Sequence, residues 1–491
     1  MRIHIVAVSG TAMGSLAGLL TELGHEVTGS DTAFYPPMGP ALQDWGVRCF
    51  QGFSAEHIDE ARPDLVIVGN VCRRDNPEVV GAQARGYELL HVADALQRFA
   101  LPGTSSVVVA GTHGKTTTST LTAHLLDRAG LAPGFLIGGV PRGLGRSFRS
   151  AGPRKLAAWG QRTPGHESRR TPFVLEGDEY DTAFFEKTAK FIHYGAEVAI
   201  LTSIEHDHID IYPTYEAYEA AFQRFVDQLP PEGLLVACAA DPNVVRVAER
   251  SRAPVAWYAL QGQETHGRAP HWLAAPAQSV ASGTSFDLYA GGVAAGRFVC
   301  PLPGRHNVMN ATAALAVAAQ GFGVPLRSLV EPLSRFEGIK RRQELLGTPG
   351  GVSVYDDFAH HPTAVTETLA ALRARHPAAR LFAVFEPRSA TACRRLHQAE
   401  YERAFDAADD VILAPVGRSE LADDEKLDVD LLAKALQARG KRASAQGGVD
   451  SILSTLVDQA RAGDVVAILS NGAFGGIHGR LVSALGAQSA P

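Results

Sequence analysis

The sequence lacks the features that would direct it to an oxidising compartment or into a membrane. Its 491 residues contain only five cysteines, with no C-x-x-C pair, so neither a disulfide framework nor a zinc site is indicated. No apolar run approaches the ~18 residues of a membrane span. The N-terminal MRIHIVAVSG has neither the long apolar stretch nor the small-residue cleavage site of a signal peptide. We therefore expect a cytoplasmic protein that does not bind a membrane.

An excess of positive charge is also missing. The formal net charge is −6, from 46 basic and 52 acidic residues, which gives no reason to expect nucleic acid as a partner. Lysine is scarce, since only 8 of the 46 basic residues are lysines. The hydrophobic fraction of 45% and the charged fraction of 20% are typical of a globular enzyme or binding protein. A chain of this length is too long for one ordinary core.

Units of strand, glycine turn and helix begin three times along the chain. The first covers residues 2–31, the second starts at 105–130, and the third begins near residue 337. Such alternation predicts three α/β domains with mainly parallel sheets. The predicted order is a Rossmann-like domain, a central P-loop ATPase-type domain and a C-terminal Rossmann-like domain, with bounds 1–102, 103–336 and 337–491.

Two further local predictions concern the connections. In the first unit, Gly10 and Gly14 are expected to form the turn, and the second strand is expected to end at Asp31. A full G-x-G-x-x-G is absent there, so a dinucleotide site is only weakly indicated. Residues 141–172 are rich in Arg, Gly, Ser and Pro, which predicts a long exposed loop.

The segment GTHGKTTT, residues 111–118, has the composition of a phosphate-binding loop. It follows the apolar strand SSVVVA and precedes a helical pattern, which is the arrangement that directs backbone N–H groups at a phosphate. Gly111 and Gly114 allow the backbone to approach closely, Lys115 can reach the β- and γ-phosphates, and the hydroxyl of Thr116 or Thr117 can bind Mg²⁺. A helix N-cap with a surface lysine is the simpler alternative.

Acidic and histidine-rich clusters follow two other strands of the central segment. EGDEYD, residues 176–181, comes after FVL, and EHDHID, residues 205–210, comes after VAILTSI. Ligands bind beyond the carboxyl ends of parallel strands, so both clusters are expected beside the phosphate loop. The four carboxylates of the first cluster would repel one another unless cations neutralise them or water separates them. Beside a triphosphate we expect Mg²⁺ as the counter-charge, and a solvated acidic turn is the simpler alternative. On a strand, His206 and His208 would point to the same face.

Together these motifs resemble the Mur ligases, the ADP-forming amide ligases of bacterial cell-wall synthesis, over essentially the whole chain. GTHGKTTT is similar to the family's G-T-x-G-K-T-[TS] loop, whose shorter glycine spacing accounts for Val109 at the first glycine position of the usual P-loop. EGDEYD lies at the family's first magnesium-ligand segment, and IEHDHID resembles its I-E-x-D-H-x-D. PGRHNVMNATAA, IKRRQE and DDFAHHPTA are similar to the family's later segments.

This resemblance implies the ligase chemistry and a set of site residues. The first domain would bind UDP-N-acetylmuramate, the second ATP and Mg²⁺, and the third would bring the amine. Lys115, Glu176 and His208 would be catalytic, with Thr116, Glu176 and His208 as metal ligands. ATP would contact Gly111, Thr112, His113, Gly114, Lys115, Thr116, Thr117, Asn307, Asn310, Arg342, Asp357 and His360. The UDP-sugar would contact Gly10, Met13, Gly14 and Asp31.

The resemblance also bears on the amine substrate. Several members of the family carry a carbamylated lysine beyond the metal histidine, but no lysine occurs here between Lys190 and Lys340, as in the muramate-binding branch. The stretches LEGDEYDTAFFEKTAKFIHY, FEPRS and SNGAFGGIHGRL resemble members that attach the anionic tripeptide L-alanyl-γ-D-glutamyl-meso-diaminopimelate during cell-wall recycling. Arg388 and Asn471 would then contact the tripeptide. An L-alanine-adding ligase shares nearly every motif, and a P-loop kinase or nucleotide switch is a more distant alternative. Oligomeric state is not predicted.

Overall fold

The first segment of the chain forms a five-stranded parallel sheet with helices between its strands. The computed structural model describes residues 1–35, 38–153, 169–280, 283–418 and 421–487. The strand order is β3-β2-β1-β4-β5, with β1 at Arg2–Val6, β2 at Glu26–Asp31, β3 at Arg48–Gln51, β4 at Leu65–Val68 and β5 at Leu89–Leu90. The helices are α1 (Thr11–Glu22), α2 (Met38–Asp44), α3 (Ala55–Ala61), α4 (Pro77–Ala84) and α5 (Val92–Phe99).

The central segment forms a ten-stranded sheet with β6, which precedes the phosphate loop, near its middle. Its order is β17-β16-β15-β14-β13-β12-β6-β9-β7-β8. The strands are β6 (Thr104–Ala110), β7 (Gly134–Leu136), β8 (Phe148–Arg149), β9 (Thr171–Glu176), β12 (Val198–Leu201), β13 (Leu234–Cys238), β14 (Val255–Leu260), β15 (Trp272–Val280), β16 (Gly283–Ala290) and β17 (Val293–Cys300). A separate hairpin pairs β10 (Asp181–Ala183) with β11 (Glu186–Ala189). The helices are α6 (Lys115–Arg128), α7 (Tyr215–Asp227), α8 (Pro242–Ala248), α9 (Arg305–Ala316) and α10 (Val330–Ser334).

The third segment forms a six-stranded sheet in the order β18-β19-β23-β20-β21-β22. Only β18 is antiparallel to its neighbour. The strands are β18 (Glu344–Gly347), β19 (Ser353–Asp357), β20 (Leu381–Phe385), β21 (Asp410–Leu413), β22 (Arg442–Ala445) and β23 (Val465–Leu469). The helices are α11 (Pro362–Arg375), α12 (Gln398–Ala404), α13 (Val429–Ala438), α14 (Val449–Gln459) and α15 (Ile477–Ala487). Buried apolar residues cover both faces of this sheet, which explains why its strands read as continuous apolar runs.

One hydrophobic core is shared by the first and central segments. It runs from Ile3 in β1 to Ile339, and it includes Phe148, whose ring meets the Trp45 ring at 4.7 Å. Ser147 and Phe148 are buried, so the prediction of an exposed loop over 141–172 is wrong for this part. Contacts with the first segment, which are invisible in the local sequence, bury these residues. Residues 154–168 of the predicted loop lie outside the described residues.

Two other features differ from the sequence-based expectations. Gly14 lies inside α1 and not in the turn, because α1 already begins at Thr11. At the far edge of the central sheet, β15, β16 and β17 pair in antiparallel fashion, and no sequence signal had predicted these strands. Within the described residues, no helix combines the length and the apolar character needed to cross a membrane.

Candidate active site

The phosphate loop lies between β6 and α6, as its sequence context predicted. Gly111 and Gly114 have φ values of 132° and 78°, a region that favours glycine. A Cβ atom on Gly114 would lie 2.6 Å from Asn310 Oδ1, so α9 packs directly over the loop. Asn307 is the neighbour of Asn310 on α9, and its Oδ1 accepts a hydrogen bond from Asn310 Nδ2 at 3.2 Å. The two asparagines predicted to contact ATP therefore lie beside the loop.

Lys115 is held at the start of α6 by three oxygen atoms. Its Nζ donates to the carbonyls of Gly111 at 2.7 Å and Thr112 at 3.1 Å, and it lies 2.9 Å from Glu179 Oε1. Burial disfavours the ammonium charge, but attraction to Glu179 and to other nearby carboxylates outweighs it and raises the pKa of Lys115. The lysine is therefore charged at neutral pH and already lies at the loop.

The carboxylates of EGDEYD are separated by partners within the protein, and lysines neutralise three of them. The expected neutralisation by cations is thus supplied for three of the four carboxylates by lysines and not by Mg²⁺. The pairs are Asp178 with Lys190 at 2.8 Å, Glu179 with Lys115, and Asp181 with Lys187. Burial disfavours ionised Asp178, but the Lys190 ammonium outweighs this and lowers the pKa of Asp178 to about 2.

Glu176 differs from the other three carboxylates because no lysine contacts it within the described residues. Its Oε1 accepts from the Thr116 hydroxyl at 2.8 Å, and its Oε2 accepts from the Gly138 N–H at 2.6 Å. Thr116 follows Lys115 directly, so Glu176 lies at the phosphate loop although it is far away in the sequence. A carboxylate and a hydroxyl beside a phosphate loop are ligands that suit Mg²⁺.

His206 and His208 point in different directions, which corrects the prediction that they share a strand face. Strand β12 ends at Leu201, and His208 has a φ of 53°, so the chain turns between the two histidines. His206 Nε2 bonds the Tyr212 carbonyl at 2.9 Å, whereas His208 Nε2 lies 3.2 Å from Glu179 Oε1. His208 therefore faces the phosphate loop, and His206 does not contact it.

Glu179 is a site residue that the sequence-based assignment missed. It is fully buried, and its Oε1 contacts Lys115, His208 and the Tyr218 hydroxyl, the last two at 3.2 Å. Its Oε2 is buried without a hydrogen-bond partner in the described part of the chain. Burial favours the protonated acid, but Lys115 and His208 outweigh this and lower the pKa of Glu179. The sequence did indicate a site at EGDEYD, but it gave no means of deciding which of the four acidic residues there contacts Lys115.

The third segment reaches the phosphate loop through Arg342. Its Nη2 donates to the Thr116 hydroxyl at 3.0 Å, and its guanidinium lies 4.9 Å from the centre of the Phe358 ring. Asp357 instead accepts from the backbone N–H groups of Gln343 at 2.7 Å and Ala359 at 2.8 Å, so its observed contacts lie within the third segment. Burial raises the pKa of Asp357.

His360 and His361 follow β19 and face the loop EHDHID. The Nδ1 atom of His360 bonds the Phe358 carbonyl at 2.9 Å, and burial lowers the pKa of this histidine although Asp207 is nearby. His361 was not predicted as a site residue, yet its ring lies 4.8 Å from the His113 ring. Burial lowers the pKa of His361 to about 3, so it is neutral at physiological pH.

Glu205 links the phosphate loop to the third segment and was also missed. Its Oε2 lies 3.1 Å from His113 Nε2 and accepts from the Thr363 hydroxyl at 2.6 Å. The Thr112 hydroxyl also has partners within the protein, because it contacts the Tyr218 hydroxyl at 2.9 Å and donates to the Glu205 carbonyl at 3.0 Å. Thr117 is buried in α6. The side chains of Thr112 and His113 therefore shape the loop through protein contacts.

The predicted UDP-sugar residues gather at the carboxyl end of β1. The Asp31 carboxylate accepts from the backbone N–H groups of Ser9 at 2.9 Å and Thr32 at 2.7 Å, which places it beside Gly10. Met13 and Gly14 are buried in the first turns of α1. The four residues thus form one group around the strand-to-helix turn.

The two residues predicted to contact the tripeptide also lie together. Arg388 is half-exposed and packs against Gly472, next to Asn471. Asn471 Oδ1 is buried and has no hydrogen-bond partner within the described residues. Arg341 donates to the carbonyls of Ser470 at 2.8 Å and Gly472 at 2.7 Å, so the basic stretch that ends in Arg342 also holds this loop.

Comparisons with known proteins agree with this geometry. Residues 2–103 match the description "Mur ligase family, catalytic domain", residues 109–318 match "Mur ligase middle domain" and residues 341–472 match "Mur ligase, glutamate ligase domain". The chain belongs to the Mur ligase family. The family resemblance and the three-part α/β fold class are therefore confirmed, and this Mur ligase is an enzyme and not a nucleotide switch.

Relatives of this Mur ligase include proteins with two different acceptors in their names. It is 37% identical over 486 residues to UDP-N-acetylmuramate–L-alanyl-γ-D-glutamyl-meso-2,6-diaminoheptandioate ligase of Escherichia coli, covering 99% of this chain and 98% of the relative. It is 34% identical to UDP-N-acetylmuramate–L-alanine ligase of Kineococcus radiotolerans, covering 95% and 92%. A crystal structure of a murein peptide ligase from Psychrobacter arcticus matches with a TM-score of 0.72 and 35% identity, covering both chains completely.

Proposed function

We propose that this Mur ligase joins the lactyl carboxylate of UDP-N-acetylmuramate to the amino group of L-alanyl-γ-D-glutamyl-meso-diaminopimelate, with ATP converted to ADP and phosphate, in peptidoglycan recycling. The observation that carries the proposal is similarity along 99% of the chain to a relative named for this reaction. The proposal divides the chain at residues 102/103 and 336/337. The first part takes the UDP-sugar, the second takes ATP and the third takes the tripeptide.

In the proposed reaction, the lactyl carboxylate attacks the γ-phosphate to give an acyl phosphate and ADP. The tripeptide amine then attacks the acyl carbon, and phosphate leaves. Lys115 supports this assignment because its charged ammonium lies at the loop before any ligand arrives, and a fixed charge stabilises the transferring phosphoryl group most effectively. Nucleotide binding would transfer Lys115 Nζ from carbonyl and carboxylate oxygens to phosphate oxygens.

Mg²⁺ fits the oxygen-rich donor set at the loop. Thr116 and Glu176 would hold one ion and His208 the other. Glu179 Oε2, which is buried and has no hydrogen-bond partner among the residues that the structure describes, provides a further oxygen nearby. When bound, the ions would neutralise negative charge on the phosphates. Arg342 supports a role for the third segment, because its contact with Thr116 brings that segment onto the loop and helps to exclude water from an acyl phosphate.

The proposal assigns the peptide to the cleft beside Arg388 and Asn471. The tripeptide carries several carboxylates, which match the half-exposed Arg388 guanidinium. It also carries peptide N–H groups that can donate to Asn471 Oδ1, a buried oxygen with no hydrogen-bond partner within the described residues. Free L-alanine has one carboxylate and would leave most of such a site empty. The L-alanine ligase remains the second candidate because a relative of that name is 34% identical over most of the chain.

One assay distinguishes the two acceptors. Purified protein is supplied with ATP, Mg²⁺ and UDP-N-acetylmuramate, and phosphate release is measured with either L-alanine or the tripeptide. Release that depends on the tripeptide supports the proposal, and release that depends on L-alanine supports the second candidate. As a matched pair, Arg388→Ala should raise the KM for the tripeptide, whereas Arg439→Ala, at an arginine of the third segment that pairs with Asp406, should not. An unchanged KM in Arg388→Ala would remove Arg388 from the peptide site.

A further inference from the structure

A second group of ligand-type side chains lies away from the phosphate loop, where the first segment meets the central one. His91 and Asp94 come from the beginning of α5. Glu186 lies in β11, and His193 lies in the short 3₁₀ helix that follows. Ligand atoms of His91, Glu186 and His193 all lie within 4.8 Å of one another. None of these residues belongs to the proposed catalytic machinery.

The distances among His91, Glu186 and His193 suit three protein ligands of one metal ion, and the Asp94 carboxylate lies beside His91 at the edge of this group. His91 Nε2 lies 3.2 Å from Asp94 Oδ2 and 3.5 Å from Glu186 Oε2, and His193 Nε2 lies 3.4 Å from Glu186 Oε1. A zinc-type ion with bonds of about 2.0–2.1 Å places neighbouring ligand atoms about 3.3–3.4 Å apart. Most direct hydrogen bonds between such atoms are shorter, at about 2.7–3.2 Å.

His91 provides an independent reason to expect a ligand. Its side chain is fully buried, and its Nε2 atom forms no hydrogen bond of acceptable geometry within the described residues although it points at two carboxylates. A buried polar atom that lacks a partner is uncommon in a native protein, and an unobserved ion is one of its ordinary explanations.

The charge of the group also favours a dication. Within the described residues, neither Asp94 nor Glu186 has a lysine or arginine within ion-pair distance, and both face histidines. The group therefore holds two carboxylates that no lysine or arginine neutralises in the described part of the chain. Both carboxylates are about two-fifths exposed, so an ion can enter from solvent. Two imidazoles and one carboxylate suit zinc better than Mg²⁺, which prefers oxygen ligands alone.

We propose that His91, Glu186 and His193 bind a zinc-type transition-metal ion that joins the first segment to the central segment, with the Asp94 carboxylate beside His91. Metal binding at His91 Nε2 places the imidazole proton on Nδ1. Protonated Nδ1 can no longer accept the Asp94 N–H, so metal binding at Nε2 breaks this 3.2 Å hydrogen bond. The Gln97 side chain already bonds the His193 carbonyl, so the ion would reinforce an existing contact between the two segments.

The test measures zinc binding to the full-length protein after treatment with a chelator. Bound Zn²⁺ is determined by equilibrium dialysis, and Co²⁺ is added separately because tetrahedral cobalt absorbs visible light strongly. Two variants remove ligands: His91→Asn, which keeps a side-chain oxygen able to cap α5, and Glu186→Gln on the exposed hairpin. Each should weaken zinc binding at least tenfold and abolish the cobalt absorption. Circular dichroism in metal-free buffer checks that both variants fold.

Two control variants identify the site. His266→Asn alters a histidine that lies 3.5 Å from a single, largely exposed carboxylate, and it should bind zinc as tightly as the wild type. Glu205→Gln alters the second group of potential ligands, which includes His113 and His361 at the phosphate loop. It should also retain the ion. Unchanged zinc affinity in either His91→Asn or Glu186→Gln, or loss of the ion only in Glu205→Gln, would overturn the proposal.

The zinc site and the proposed ligase function can fail independently. Phosphate release in zinc-free buffer with Mg²⁺ should be the same in Glu186→Gln as in the wild type, because Glu186 contacts no residue of the phosphate loop. Zinc binding is measured without ATP or either substrate. A protein that lacks ligase activity but binds zinc at these residues would therefore still support this inference.

Discussion

Replacing Lys115 with methionine should separate the catalytic role of its ammonium from its role in stability. The substitution leaves Glu179 fully buried without its lysine, and breaking a buried ion pair in this way costs about 3–5 kcal/mol. His208 and Tyr218 still lie 3.2 Å from Glu179, and Lys115 itself is 15% exposed. We therefore expect the lower end of the range, a loss of about 3 kcal/mol in the free energy of unfolding. Phosphate release should fall by about 10²- to 10³-fold.

The double variant Lys115→Met/Glu179→Gln provides the decisive comparison. A glutamine carries no charge, so about 2 kcal/mol of the lost stability should return, since removing both partners of a buried pair is far less costly than removing one. Activity should not return, because the phosphoryl group still lacks the ammonium. Urea unfolding can be followed by the fluorescence of Trp257 in β14 and Trp272 in β15, both in the central segment.

Two results would refute this reasoning. If Lys115→Met unfolds at the same urea concentration as the wild type, the contact with Glu179 contributes nothing to stability. If the double variant regains phosphate release together with stability, the loss in the single variant came from misfolding and not from the missing charge. Glu179→Gln alone tests the other half of the cycle, because it leaves Lys115 buried without its closest carboxylate.

Three other predictions concern packing, pH and metal. Gly18→Ala should lower the free energy of unfolding, measured in urea, by about 1–2 kcal/mol, because its Cβ would lie 2.8 Å from Trp45 Cε3 and would overlap the Phe148 ring. The control Gly479→Ala, in an open position of α15, should instead raise the free energy of unfolding by up to about 1 kcal/mol. Burial disfavours ionised Asp410, but hydrogen bonds from two arginines outweigh it and lower its pKa. Ionised Asp410 therefore stabilises the folded protein fully above about pH 4, the pKa of an unfolded aspartate, and this stabilisation is lost as the pH falls through the lower pKa of the folded state. In Asp410→Asn, the free energy of unfolding should fall less steeply as the pH is lowered through this range. EDTA should stop phosphate release and excess Mg²⁺ should restore it; release that persists in EDTA would contradict a magnesium-dependent site.

Local sequence patterns were sufficient to predict the parts of the fold that local physics controls. SSVVVA and GTHGKTTT predicted a strand, a glycine loop and a helix, and β6 and α6 lie there, because β-branched runs favour strands and positive φ angles favour glycine. The apolar runs before EGDEYD and EHDHID likewise became β9 and β12. Both strands are neighbours of β6, so the predicted clusters do meet at one edge.

Choices between similar side chains depended on the tertiary structure. Nothing in EGDEYD indicates that Glu179 pairs with Lys115 while Glu176 bonds Thr116, because the lysine and the carboxylates approach one another only through the packing of α6 against β9. His206 and His208 diverge because the backbone turns after β12, which a two-residue spacing cannot reveal.

The difference between local patterns and tertiary contacts also explains the burial of Phe148 and the proposed zinc site. Phe148 is buried by residues of the first segment, so composition alone suggested a loop in solvent. His91 and His193 are far apart in the sequence and form no recognisable metal motif, yet the docking of α5 on the central segment brings them to one carboxylate. The amino-acid sequence determined which strands, turns and helices form, because these depend on neighbouring residues. Only the tertiary structure decided which charges meet, because ion pairs and metal ligands depend on distances in space.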